Sequence, residues 1–428
     1  MNASQRTLDF AVVGGGIAGL AIAELLQRSG ASVVLIEKNK TLCSEASGEQ
    51  QGWFHTGALY TALPDQFFFR AMVGNLDDLI DYYRAFPSMN LRVDKHVSSS
   101  SPEGWFSNRT NFYAYTNCKG VSWKWKIPWF FALQRAKRRM SWFENLDASR
   151  SLSRQMSKAS KPLKFVLHTP SLGVKLDEIA FVLKSRDRAM NTRLIIEDLL
   201  RSFLGYGGVI RTETKVQSVE KGCVIAEATS GESPVTISAR HIILTTGKES
   251  TAFTSNIRVV MSPLLVVCPA LVDVNFIKMS PDMKDTINHI YHRFNGLDYS
   301  LIGNAVYHDP QDCTGSRREM LRQHMVEKAR KVFGDFDDRR AEIYFGSKTE
   351  VTSSSFLRNY LYQIVDRGTY TLALPGKFSL CFSLAANVCR HFGIEPVERI
   401  AAASQQDISH LVQEPRHHHL AKQISLQL

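Results

Sequence analysis

Residues 10–13, Phe-Ala-Val-Val, form an apolar β run that ends directly in Gly14-Gly15-Gly16-Ile17-Ala18-Gly19. A helical pattern, LAIAELLQRSG, follows, and then a second apolar run, residues 32–36, closing on Glu37. Strand, glycine turn, helix, strand and acid constrain the fold more than any other feature of the chain. Gly14 suits the tight turn, Gly16 lets backbone approach a pyrophosphate, and Gly19 permits close helix–strand packing. The N–H groups of Ile17 and Ala18 open the helix, whose positive end faces phosphate charge. Glu37 follows Gly19 by 18 residues, about the spacing at which a carboxylate meets a ribose diol, with Lys38 beside it. An acid there disfavours a ribose 2′-phosphate and so NADP. The bland alternative is a glycine-rich packing turn. The predicted class is α/β (α+β overall), with a Rossmann-like nucleotide-binding unit.

The whole chain of 428 residues is long enough for two or three domains, and 44% hydrophobic residues exclude disorder on the whole-chain scale. Seven scattered cysteines without a CxxC pair argue against a zinc cluster or disulfide framework, and no metal is expected. Reduced thiols point to the cytoplasm. The strand begins within ten residues of Met1, which leaves no room for a cleavable leader. Charge-free runs stop near fourteen residues, short of the ~20 a spanning helix needs.

Four ordered segments carry a family resemblance. Residues 44–60, SEASGEQQGWFHTGALY, hold a Ser47-Gly48 pair followed by His55-Thr56-Gly57. This resembles the second cofactor segment of the D-amino-acid-oxidase-type flavoproteins, closest to the L-2-hydroxyglutarate and glycerol-3-phosphate dehydrogenase branch. Residues 215–220 (KVQSVE) and 240–247 (RHIILTTG) resemble the strand pair of two-dinucleotide-fold flavoproteins. Gly376-Lys377-Phe378-Ser379 is similar to the segment that caps the flavin ring in that branch. The resemblance implies FAD as cofactor, with Val216, Thr246, Gly247 and residues 376–379 joining Gly14, Gly16, Ile17, Ala18, Gly19, Glu37, Lys38, Ser47 and Gly48 around it. The family's arginine-proline pair is not evident; Arg358 and Lys348 are the nearby cations. No second glycine-rich fingerprint for NAD(P)H is present, which argues against an NAD(P)H-driven monooxygenase.

The resemblance also implies a discontinuous FAD domain, built from residues 1–84, 186–254 and 359–398. An antiparallel-sheet substrate domain is interleaved as 85–185 and 255–358. Residues 187–206 read as one helix with Ile195, Leu199 and Leu200 inward. Residues 399–428 read as a tail, with His417–His419 solvated. The formal charge is +11, and residues 119–164 hold twelve cations against Glu144 and Asp147. Within them SWKWKIPWFFALQRAKRRMSWFEN alternates aromatics and cations. A surface helix with packed aromatics and solvated cations is the plain reading. Docking on a membrane face or a protein, steering of an anionic substrate and nucleic-acid binding are the alternatives, the last least favoured. Localisation is then cytoplasmic, extending to peripheral contact at the inner membrane face.

Enzymes of this kind oxidise a C–H beside a hydroxyl or amine, the protein orienting the carbon and removing the heteroatom proton. A small anionic substrate such as a 2-hydroxy acid, with oxygen or quinone as electron acceptor, is the primary expectation. His55 is the candidate base, because burial among Trp53, Phe54 and Leu59 favours a neutral imidazole. A packing histidine and a covalent flavin anchor are its alternatives. Arg358 and Lys348 are candidate partners for the anion. Oxidation of an amine or amino acid, including a modified nucleoside or a biosynthetic intermediate, and a flavin-binding protein that recruits a partner are the competing functions.

Overall fold

A computed structural model describes residues 7–427 except 65–66, 92–103, 120, 148–149, 159–172, 176–177, 232, 283–284, 353–357, 360, 375 and 401–403. Two large sheets organise the chain. In the first, Val209–Arg211, Val33–Ile36, Leu8–Val13, Val235–Leu244 and Thr371–Leu374 lie side by side and parallel, with Gln363–Asp366 antiparallel at one edge. Parallel strands need both faces covered, and Val33–Ile36 is accordingly apolar and buried at every position. Helices Ile17–Arg28, Thr192–Gly205 and Cys381–His391 contribute to the core cluster on one face. The hairpin of Thr214–Glu220 and Cys223–Ala228 extends the sheet from the first half of Val235–Leu244.

The second sheet runs Arg358–Asn359, Ala341–Thr352, Ile257–Val267, Leu297–Asn304, Ile287–Phe294, Asn275–Met279, Asn111–Thr116 and Ile179–Ser185. Every neighbouring pair in it is antiparallel except Asn275–Met279 with Asn111–Thr116. The mixed parallel and antiparallel architecture is the one expected from the sequence. No helix among the described residues is long and apolar enough to cross a membrane.

Two expectations are corrected. The helix read over 187–206 begins only at Thr192, where the Asn191 side chain accepts the Leu194 N–H. Asparagine caps a helix because its side chain competes for backbone donors, and Asp187 is thereby left outside. The C-terminal segment is not a solvated tail: Arg416–Gln427 is a helix with His417, His418, Ala421 and Ile424 buried. It packs on Leu264, Val266, Tyr299 and Tyr344 of the second sheet, and the Tyr299 hydroxyl sits 2.7 Å from His417 Nδ1. The buried positions recur at helical spacing, a stripe that three adjacent histidines conceal.

Candidate active site

A cavity of about 980 Å³ opens between the two sheets, at the upper end of the size range of small-molecule sites. It lies at the carboxyl ends of parallel strands, where such folds bind ligands: Val13, Gly14, Ile36, Glu37, Leu244 and Thr245 line it. Met279, Asn288, Asn304 and Lys348 line it from the antiparallel sheet.

The glycine turn separates into packing and ligand-facing positions. Gly14 has φ +106°, and a Cβ there would lie 2.6 Å from the Thr245 carbonyl oxygen. A Cβ on Gly19 would stand 1.9 Å from the Gly14 oxygen. Gly16 has ordinary backbone angles, and its nearest neighbour would be Ser47 Oγ at 3.4 Å. No protein atom demands glycine at 16, so the space before the helix suits a ligand. The Ile17 N–H donates to Ser47 Oγ at 3.0 Å, and Glu37 accepts from the Gly15 and Asn39 N–H groups, at 2.6 and 2.8 Å. Those bonds fix the carboxylate at the cavity wall with lone pairs to spare. Gly16→Ala is expected to melt like the parent and bind flavin about ten- to a hundredfold more weakly, since the methyl enters ligand space. Gly19→Ala should lose thermal stability as well. Flavin absorbance and melting temperature decide it, and normal flavin content in Gly16→Ala would contradict a ligand-facing role.

Gly14, Gly16, Ile17, Ala18, Glu37, Lys38, Ser47, Val216, Thr246, Gly247, Gly376, Lys377 and Phe378 all line this cavity. Gly19, Gly48 and Ser379 do not. Gly48 is tight against the Cys43 carbonyl, so its role is packing. Ser379 is buried behind the wall, its hydroxyl without a partner among the described residues. Lys38 is held 2.8 Å from Glu249 and 3.2 Å from Glu45. The backbone of Arg358 pairs with Thr352, and its side chain falls outside the described residues. Lys348 does reach the cavity, with Nζ 3.1 Å from the Tyr307 hydroxyl and 4.5 Å from that ring's centre.

His55 is placed by a two-stranded ribbon. Trp53 pairs with Ala189 and Phe54 with Arg188, so the antiparallel register next sets His55 opposite Asp187. Trp53 and His55 share one face of their strand and stack, ring centres 6.0 Å apart. His55 Nδ1 lies 3.1 Å from Asp187 Oδ2. The other carboxylate oxygen accepts from the Thr56 N–H at 2.8 Å and its hydroxyl at 2.6 Å, and the Tyr113 hydroxyl also donates to Asp187. Burial alone would raise the Asp187 carboxyl, but the hydrogen bonds from His55, Thr56 and Tyr113 outweigh it and hold it below the usual range. Burial pushes the His55 imidazole below its ordinary value, the Lys377 charge adds to this, and Asp187 pulls partway back. The result is a neutral imidazole with its proton on Nδ1, committed to Asp187, and Nε2 available as acceptor on a residue that lines the cavity.

Asp187 escaped the sequence reading. It lies 132 residues from its partner, and its only signal is an acid between two arginines in Ser185-Arg186-Asp187-Arg188. Trp53 was read only as apolar surroundings. It lines the cavity, and its indole N–H has no partner among the described residues. A ligand acceptor there would satisfy it. The seven cysteines are free, and no cluster among the described residues could hold a metal.

A dinucleotide cradle that shares its cavity with a buried imidazole–carboxylate pair is the equipment of a nucleotide-dependent oxidoreductase. The profile of the DAO family, FAD dependent oxidoreductase, matches residues 9–355, and the chain belongs to that family. It is an FAD-dependent enzyme. Among solved structures it resembles L-alpha-glycerophosphate oxidase from Mycoplasma pneumoniae with FAD bound (14% identity, 94% of this chain and 99% of that one, TM-score 0.63). It also resembles glycine oxidase from Geobacillus kaustophilus (13%, 95% and 98%, 0.62) and glycerol-3-phosphate dehydrogenase from Bacillus halodurans complexed with FAD (15%, 93% and 68%, 0.55). No curated protein matches it by sequence.

The cradle fits FAD. Gly16 and the helix N-terminus would face the pyrophosphate and Glu37 the ribose, with Gly376, Lys377 and Phe378 on the same cavity wall system as His55.

Proposed function

We propose that this enzyme oxidises the CH–OH carbon of a small anionic substrate of the 2-hydroxy-acid type. The observation that carries the reading is His55 at the cavity wall with Nδ1 3.1 Å from the Asp187 carboxylate, in a setting where burial lowers the imidazole's pKa. Bound FAD supplies the two-electron oxidant. His55 Nε2 accepts the hydroxyl proton as the C–H bond breaks, and the Asp187 carboxylate stabilises the imidazolium that forms. Lys348 and Lys377 bring two positive charges to the same cavity, against which a substrate carboxylate or phosphate would be held.

Anaerobic titration of the flavin-loaded protein with 2-hydroxy acids, glycerol phosphate, amino acids and neutral alcohols tests this. Bleaching by an anionic hydroxy compound is expected, and bleaching by amino acids alone would overturn the reading. Lys348→Met should raise KM about ten- to a hundredfold, the range for a lost charge-assisted hydrogen bond, with a smaller change in kcat. An unchanged KM would remove Lys348 from the anion site.

A further inference from the structure

The basic aromatic segment folds as the helix Trp123–Met140, and it is apolar on two opposite sides. Trp129, Ala132, Leu133, Ala136 and Met140 form the stripe buried against the protein. A surface helix normally turns polar residues outward. This one instead exposes Trp123 (84%), Ile127 (71%) and Phe131 (55%), four residues apart along its outer face, with Trp125 and Phe130 also exposed. The expectation that the aromatics pack inward holds for Trp129, whose indole N–H donates to the Thr116 carbonyl at 2.9 Å, and for Trp142 and Phe143, and fails for Trp123, Trp125, Phe130 and Phe131.

Charge narrows the partner. Residues 119–143 contain seven cations and no Asp or Glu. Arg135 and Arg139 turn inward to the carbonyls of residues 61–64, at 3.1 Å to Ala62 and 2.6 Å to Leu63. Lys119, Lys124, Lys126 and Arg138 remain exposed. A second copy docked on this face would meet its own sign of charge. Nucleic acid would gain nothing from Ile127, which has no π face for a base. Aromatic and aliphatic side chains ringed by cations are the composition that enters a headgroup layer.

We propose that Trp123–Met140 seats this protein on an anionic lipid bilayer, with Trp123, Ile127, Phe130 and Phe131 inserted and Lys119, Lys124, Lys126 and Arg138 at lipid phosphates. The same helix braces the active-site rim, because Leu63, whose carbonyl Arg139 holds, lines the cavity. One helix would thus carry both the bilayer face and a contact to the cavity lining.

Flavin-loaded full-length protein is sedimented with phosphatidylcholine vesicles and with vesicles containing roughly a third phosphatidylglycerol. Binding only to the anionic vesicles is expected, with release in about 1 M salt, where the screening length falls to about 3 Å. Lys119→Gln/Lys124→Gln/Lys126→Gln should weaken partitioning about a hundredfold. Trp123→Ala/Ile127→Ala/Phe131→Ala should weaken it more than tenfold. Both variants should keep flavin content and turnover with a soluble dye acceptor. Absence of vesicle binding, parental binding by either variant, or binding of RNA or self-association through these residues in place of vesicles would overturn the proposal.

Discussion

Replacing His55 with alanine is expected to slow substrate bleaching of the flavin by roughly 10²–10⁴-fold, the usual worth of a positioned base. Flavin content should stay near the parental value, since His55 is one of several residues on the cavity wall, whereas the melting temperature should drop because the buried Asp187 loses a hydrogen-bond partner. The pH dependence identifies the group. His55 must be neutral to accept a proton, and burial, reinforced by Lys377, holds its pKa below 6.5. The parental rate should thus be flat down through the ordinary histidine range and fall only below it. His55→Ala should lose that acid limb, and added imidazole should restore part of the rate. Equal bleaching rates in parent and variant would end the assignment.

Asp187→Asn is expected to cost about a hundredfold or more in the same step, although Asp187 is a positioning residue. The carboxylate accepts the Nδ1 proton; an amide can accept or donate there, so the imidazole is no longer confined to the tautomer with Nε2 free. The sign of the accompanying pH shift follows from the charges. Asp187 raises the His55 pKa, so its neutralisation lets that pKa sink further, and the acid limb should move to lower pH as the plateau drops. If Asp187 only held the fold, the variant would melt earlier with the limb in its original place. Stopped-flow bleaching across pH, beside thermal melts, separates the two.

The fold and the nucleotide cradle were legible because local chemistry demands them. Gly14, Gly16 and Glu37 work within one strand–helix–strand unit, where spacing and residue type carry the information. Asp187 was hidden because its role comes from strand pairing across 132 residues, which no local pattern encodes. The C-terminal helix was hidden for a related reason: His417 and His418 read as polar, yet in the fold they are buried against Tyr299 and Phe294. Of the two cations proposed for the anion, Lys348 sits mid-strand and reaches the cavity. Arg358 sits on the edge strand of the second sheet, with its side chain outside the described residues.

The short ribbon that joins Trp53–Phe54 to Arg188–Ala189 belongs to neither large sheet. In the proposed mechanism, proton removal would thus reside on a module separate from Ala341–Thr352, the strand that carries Lys348. Relatives could trade one substrate for another by rewriting that strand while inheriting the imidazole–carboxylate unit intact. For an engineer, the strand is where to randomise, and the ribbon is what to leave alone.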